Sequence, residues 1–393
     1  VALRKKIRKR FSKLARTLDK ANRQMMELEE NLAETGKGYQ VLPNPGVLPI
    51  TFLTISGELE EILEEKELEE ELRREILEFY FIVRDFLNVS ELVDENYVVY
   101  TENSAEEGFR LRLFCVNPAE NLGEYLKKGK SAIFFSATMF PMLYYRELLT
   151  TDRDAYGIYV QSPFPKENRR ILIGSDVSSR YTRRNRAEYR KIAGYIARCV
   201  WQRQGNYMVF FPSYKMMEQV CDVFLEKCQS DPSCETETLI QQPGMKEEER
   251  ESFLQAFSEE LSGERKGSLA AFCVMGGIFG EGIDLKNEQL IGAIVVGTGL
   301  PQISNEREIL MGYFEKRLGA GFDYAYRYPG MNKVLQAAGR VIRTVEDVGV
   351  IELLDERFLQ SEYRALFPRE WERQTVCRID TVEKYLEEFW NRS

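Results

Sequence analysis

The octapeptide Gln336-Ala-Ala-Gly-Arg-Val-Ile-Arg343 sets a carboxamide and two guanidiniums at i, i+4 and i+7. On a helix that spacing aims Gln336, Arg340 and Arg343 at one side, where they call for an anionic or polar partner. A helix with a salt-bridged face is the plainer reading of two arginines alone. A second stretch, Gly276-Gly-Ile-Phe-Gly-Glu-Gly-Ile-Asp284, follows an apolar run ending at Val274 and holds four glycines in nine residues. Glycines let backbone N–H groups approach a phosphate or sugar closely. Glu281 and Asp284, on either side of Gly282, add acceptors for a ribose hydroxyl, a ligand arginine or a structural N–H. Each segment is weak evidence by itself, and the two together are much stronger.

Two shorter segments add to them. In Val209-Phe-Phe-Pro-Ser-Tyr214 an apolar strand leads into a helix start, where Ser213 and Tyr214 can meet a phosphate oxygen, although a plain N-cap serine explains the pattern too. Phe134-Phe-Ser-Ala-Thr138 sets the hydroxyls of Ser136 and Thr138 at the C-terminal edge of another apolar run.

What the chain lacks narrows the chemistry. It contains no histidine, so Ser-His or Cys-His catalysis and His-based zinc sites are excluded. Seven cysteines, Cys115, Cys199, Cys221, Cys228, Cys234, Cys273 and Cys377, include no C-x-x-C. An odd total argues against a complete disulfide framework, and ordinary reduced thiols are preferred to a metal site at Cys221, Cys228 and Cys234. No apolar run reaches the ~18 residues a membrane span needs, and the basic N-terminus has no signal-peptide core. The chain reads as cytosolic.

At 393 residues, 44% of them apolar, the chain has material for two or three domains with real cores. The net charge of −9 is unevenly spread. Residues 1–23 hold ten Lys/Arg against the single acid Asp19, and residues 58–78 hold eleven Glu against three bases. Ile7, Phe11, Leu14, Leu18, Ala21, Met25, Leu28 and Leu32 follow a heptad spacing that predicts a long helix stopped by Gly36 and Gly38. After a Pro-rich turn over 41–49, a second helix is expected from Glu58 to Leu87. Their opposite charges predict an antiparallel hairpin, either a spacer or a nucleic-acid-facing arch.

Strands are expected at 97–100, 111–116 and 132–135, and 131–172 ends in a linker-like stretch with bases at Lys166, Arg169 and Arg170. From 173 onward helix and strand alternate as in a parallel α/β sheet, with strands at 207–211, 269–274, 290–296 and 349–354 and helices at 184–204 and 214–228.

In this order the four chemical segments resemble motifs III, IV, V and VI of superfamily 2 helicases, specifically the XPD/DinG branch. Ser136-Ala-Thr138 is similar to motif III, Phe210 to Tyr214 to motif IV, Gly276 to Asp284 to motif V and Gln336 to Arg343 to motif VI. Asp347-Val-Gly-Val-Ile-Glu-Leu-Leu-Asp355-Glu-Arg-Phe358 continues the likeness. The resemblance implies a RecA-like parallel sheet flanked by helices with an N-terminal all-helical arch. Residues 1–112 would be that arch, 113–172 the remainder of a first motor domain, and 173–393 the second motor domain. It implies an ATP-dependent 5′-to-3′ motor on single-stranded DNA, with Arg340 and Arg343 as arginine fingers on the γ-phosphate. Gln336 and Asp284 would sense the nucleotide, with Glu281 and Gly282 beside them. Ser213, Tyr214, Gly276, Gly277, Ser136 and Thr138 would face the DNA.

The chain departs from the family in having no G-x-x-x-x-G-K-[ST] and no D-E-A-H. ATP and Mg2+ are therefore expected to be held mainly by a first motor domain that this chain lacks, and any 4Fe-4S cluster to lie upstream. Val1 is expected to fall just after the D-E-A-H segment, leaving a fragment inactive alone as an ATPase. A non-hydrolysing DNA- or partner-binding module and a motor acting on RNA are the competing readings.

Overall fold

Side-chain parity along the strands builds the larger sheet. In β5 (Asn206–Phe211), Met208 and Phe210 face one layer, while Tyr207, Val209 and Phe211 face the other. The same alternation recurs in β7 (Ser268–Val274), β8 (Gly292–Val296) and β9 (Gly349–Leu354). A sheet apolar on both faces must be covered on both, which is the condition under which parallel strands are stable. The computed structural model describes residues 2–104, 108–231, 235–258, 267–279 and 290–391.

Their contacts divide the chain into two compact units. The first is Val1–Ile133 with Arg146–Ala155 and Ile303–Lys316, and the second is Phe134–Tyr145 with Tyr156–Gln302 and Arg317–Ser393. In chain order the elements are α1 (Ala2–Ile7), α2 (Ser12–Thr35), β1 (Tyr39–Leu42), α3 (Leu48–Leu63), α4 (Glu70–Ser90), β2 (Tyr97–Ser104), β3 (Gly108–Cys115), α5 (Ala119–Leu126) and α6 (Met142–Leu149). Next come β4 (Arg169–Gly174), α7 (Arg186–Gln202), β5, α8 (Tyr214–Ser230), β6 (Thr236–Ile240), α9 (Glu247–Gln255), β7, β8 and α10 (Asn305–Leu318). The chain then runs through α11 (Tyr328–Ala338), β9, α12 (Ser361–Arg364), β10 (Gln374–Cys377) and α13 (Val382–Trp390).

In the second unit the strands form a seven-stranded sheet of order β10-β4-β9-β8-β5-β7-β6, parallel throughout. Helices α7, α8 and α13 cover one face, and α9 and α11 the other. This is the RecA-like architecture expected from the sequence. Three of its strands were not expected: β4, β6 and β10. Arg169 and Arg170, read as part of a linker, open β4, so the expected boundary at 172 falls inside a strand.

The first unit combines helices with a three-stranded antiparallel sheet, β1-β2-β3, and so is not all helical. An unexpected strand, β1, runs into the first two residues of the Pro-rich turn expected over 41–49, pairing Tyr39 with Glu102 through Leu42 with Val99. The expected second helix is two. Between α3 and α4 the Glu-rich stretch at 64–69 breaks the helix, and the Arg73 guanidinium donates to the freed carbonyls of Leu63 (2.5 Å) and Glu65 (2.6 Å). Like charges one turn apart disfavour a continuous helix, and the break lets Ile62, Leu68 and Ile76 share one core.

The contacts Phe52–Phe86 and Glu60–Tyr80 make α3 and α4 antiparallel. Arg10–Glu65, Lys13–Glu61 and Thr17–Glu58 do the same for α2 and α3, so the segregated charges do pair across neighbouring helices. Helix α10 belongs to this unit: Ile309 packs with Tyr100 and Val116, and Glu306 meets Arg112 at 3.1 Å. The expected strand 132–135 is absent from both sheets; Ile133 and Phe135 are 85% and 89% exposed.

Candidate functional site

All the described site residues fall in the second unit, most of them where strands of the parallel sheet end. That is the edge where open α/β sheets bind ligands. Strand β5 exits through Pro212 to Ser213, which caps α8 by accepting from the Met216 N–H at 3.4 Å. Its hydroxyl therefore has the plain capping role weighed from the sequence. Strand β7 exits beside it, since Met275 N–H donates to Phe211 O at 2.8 Å. The chain then turns through Gly276, whose φ of +70° suits glycine, and Gly277 N–H closes the turn on Val274 O at 3.2 Å.

Two residues that the sequence did not single out tie this corner together. Gln241, at the end of β6, is buried; its side-chain oxygen accepts from Val274 N–H at 2.9 Å and its nitrogen donates to the Tyr214 hydroxyl at 3.0 Å. One carboxamide thus joins the exits of β6 and β7 to the start of α8. Lys333, on α11, lies against Gly276: a Cβ there would meet its Cε at 2.9 Å and its Nζ at 3.3 Å. The ammonium is three residues before Gln336. Neither residue belongs to a recognisable motif, because each works through contacts made only when the strands are assembled.

Helix α11 also receives the Ser136–Thr138 segment. The Asn332 carboxamide fits with its oxygen accepting from the Tyr145 hydroxyl at 2.6 Å and its nitrogen donating to Phe140 O (3.1 Å) and Thr138 O (3.3 Å). Burial raises the Tyr145 pKa. Ser136 is exposed, and its hydroxyl accepts from Thr138 N–H at 3.2 Å.

The three residues expected on one helical face are arranged differently. Helix α11 ends at Ala338, so Gln336 alone of them is helical. The last turn tightens, with Arg340 N–H donating to Ala337 O and Val341 N–H to Ala338 O, and Val341 and Ile342 then drop into the core. Burial of that β-branched pair ends the helix and sets the arginines apart: Arg340 is 5% exposed, whereas Arg343 is exposed. Asp347 holds the loop in shape by accepting from the backbone N–H groups of Arg343 and Thr344, both at 2.6 Å. Glu281, Gly282 and Asp284 lie outside the described residues.

Among the described residues no group of three His, Cys, Asp or Glu side chains could hold a metal ion. The described cysteines are free, and burial pushes the Cys221 and Cys377 thiols up to about 12, away from thiolate chemistry. No described helix is long and apolar enough to cross a membrane.

Residues 196–374 match the helicase C-terminal domain family. The chain is similar to the C-terminal region of XPD/DinG-like superfamily 2 helicases. It is 26% identical over 310 residues to the human regulator of telomere elongation helicase 1, covering 71% of this chain and 24% of that protein. It is 26% identical over 256 residues to the ATP-dependent DNA helicase XPD of Sulfolobus acidocaldarius, covering 63% of this chain and 41% of that one. The chain thus spans less than half the length of either relative. In fold it is similar to a solved apo XPD structure (TM-score 0.54, 19% identity, 93% of this chain and 69% of that one). The structure of S. tokodaii Xpd4 is equally similar (TM-score 0.54, 16% identity, 95% and 70%).

Proposed function

We propose that this chain is the C-terminal part of an ATP-dependent 5′-to-3′ DNA helicase, gripping single-stranded DNA along the strand ends of its parallel sheet. Residues 1–112 are assigned to the arch, the stretch from 113 to the start of β4 to the remainder of the first motor domain, and the sheet from β4 onward to the second. The observation that carries the reading is the convergence of β5, β7 and α11 on one corner through Gln241 and Lys333. Exposed backbone at a glycine turn beside an ammonium suits a phosphate, and such contacts position a strand without reading its sequence.

ATP and Mg2+ would supply the hydrolytic chemistry, held mainly by residues outside this chain. Exposed Arg343, its backbone pinned by Asp347, fits a finger that reaches a γ-phosphate. Arg340 is buried, and reaching the same phosphate would require its exposure. Gln336, Glu281, Gly282 and Asp284 are assigned to sensing the nucleotide, and Ser213, Tyr214, Gly276, Gly277, Ser136 and Thr138 to the DNA side.

The chain's one Gly-Lys-Ser, Gly129–Ser131, follows helix α5 and leads into a segment without regular structure. A phosphate loop needs a strand before it and a helix after it, which supports the expectation that the chain alone does not hydrolyse ATP. In a longer protein carrying the phosphate loop, Arg343→Ala should lower ATP turnover by about 10³-fold or more while DNA binding stays largely intact. Equal loss of both would sink the finger role. A non-hydrolysing binding module would instead show DNA binding and no response of any ATPase to Arg343.

A further inference from the structure

The loop after β4 is used by none of the residues assigned above. It reads Ser178-Ser-Arg-Tyr-Thr-Arg-Arg-Asn-Arg186, with four arginines, one tyrosine and no acid. Tyr181 is 85% exposed, and the Arg184 guanidinium lies 5.6 Å from its ring centroid.

The loop is anchored from below. Asp355, fully buried after β9, accepts from Ser179 N–H (2.8 Å), the Ser179 hydroxyl (2.7 Å), Arg357 N–H (2.9 Å) and Arg357 Nε (2.8 Å). Arg357 Nη2 donates to the Ser179 hydroxyl as well, at 2.8 Å. Burial alone would raise the Asp355 pKa, but the hydrogen bonds and charge of Arg357 with the Ser179 hydroxyl hold it below its ordinary value. A buried carboxylate so fully satisfied fixes the backbone it grips.

The loop also shares the candidate edge. Gly297, ending β8, abuts the Ser179 side chain, and its Cβ position lies 3.9 Å from Pro212, the residue before Ser213. The loop therefore continues the line of strand ends that runs from Gly276 past Ser213.

The arginines differ in how firmly they are held. Arg186 is engaged by both oxygens of Glu226, at 2.7 and 2.9 Å. Arg180 and Arg183 only approach Glu356, each at 3.7 Å, and Arg183 approaches Glu188 at the same distance. Phosphate can compete with such loose pairs, since guanidinium–phosphate bonds are shorter and bidentate. An exposed aromatic among them favours a ligand with free base faces, which a single strand offers and a duplex does not.

We infer that the Arg180–Arg184 loop is a further single-stranded DNA contact, in which Tyr181 stacks on a base while Arg180 and Arg183 hold the flanking phosphates. The inference rests on the single-strand reading of the sheet edge and extends it past β8.

The test is fluorescence anisotropy of the 393-residue chain with a labelled oligo(dT). Tyr181→Ala should weaken binding roughly tenfold, and Tyr181→Phe should restore it. An oligonucleotide with abasic sites should bind wild type more weakly and show no further loss with Tyr181→Ala. Arg183→Ala should lower the salt dependence by about one phosphate contact. Wild-type binding unchanged by Tyr181→Ala and Arg183→Ala would overturn this contact while leaving the edge reading in place. A folded wild-type chain that does not bind the oligonucleotide would overturn both.

Discussion

The two units use charge in opposite ways. In the first, ion pairs lie on the outside of the helices: Lys13 is 69% exposed where it meets Glu61, itself 73% exposed. In the second, carboxyl groups are taken out of water, Asp355 fully buried as an ion pair with Arg357 and Glu352 fully buried in β9 with its proton retained. Exposed pairs gain little from solvent-screened attraction and select which helix faces which. Buried ones are costly to leave unmatched and hold a local geometry in place. A helical hairpin tolerates the first kind along its length, while a sheet edge that must present a loop needs the second.

The comparison breaks most sharply at Asp355. Asp355→Ala leaves Arg357 buried without its carboxylate and should cost roughly 3–5 kcal/mol in urea unfolding. A loss under 1 kcal/mol would show that the buried network is no stronger than the surface pairs.

Glu352 sharpens it. Burial raises its carboxyl pKa to about 8, with the Cys199 thiol hydrogen bond pulling back only partly. In the unfolded chain the group returns to the ordinary value of about 4.5. Between those values the folded chain holds a proton that the unfolded chain has lost, so stability falls as pH rises from about 4.5 to 8 and levels off above. Glu352→Gln should remove a slope approaching 1.4 kcal/mol per pH unit in that window. Parallel stability–pH curves for the two proteins would show that Glu352 ionises normally in the fold.

The smallest effect belongs to the helices. Lys13→Ala should change stability by about 0.5 kcal/mol or less, and added salt should shrink the difference further. A loss comparable to that of Asp355→Ala would erase the distinction between the units.

The parallel sheet was legible because its central strands are continuous apolar runs with helices between them. Strands β4, β6 and β10 were not: β4 opens with two arginines, β6 reads Thr-Glu-Thr-Leu-Ile, and β10 is four residues long. The helical period from Leu14 to Leu32 was legible, but the chain breaks at 8–11 between α1 and α2, leaving Ile7 and Phe11 outside α2 where one continuous helix was expected. The periodic apolar residues of α3 and α4 likewise concealed the break at 64–69, which depends on Arg73 reaching back to Leu63 and Glu65. At the site, glycines and hydroxyls at strand ends could be picked out by type. Gln241 and Lys333 could not, being ordinary polar residues whose partners are distant in sequence. Helical spacing also misplaced Arg340 and Arg343, since nothing local announces that Val341 and Ile342 leave the helix for the core.

The interleaving of the two units limits how the molecule can be divided. The chain crosses between them after Ile133, Tyr145, Ala155, Gln302 and Lys316, and α10 leaves the sheet unit to pack beneath Tyr100 and Val116 before the chain returns. No single cut yields two pieces that each hold one whole unit. Expressing the sheet unit alone requires replacing both 146–155 and 303–316 with designed links, and a protease nick at one crossing leaves the two units still joined through the others.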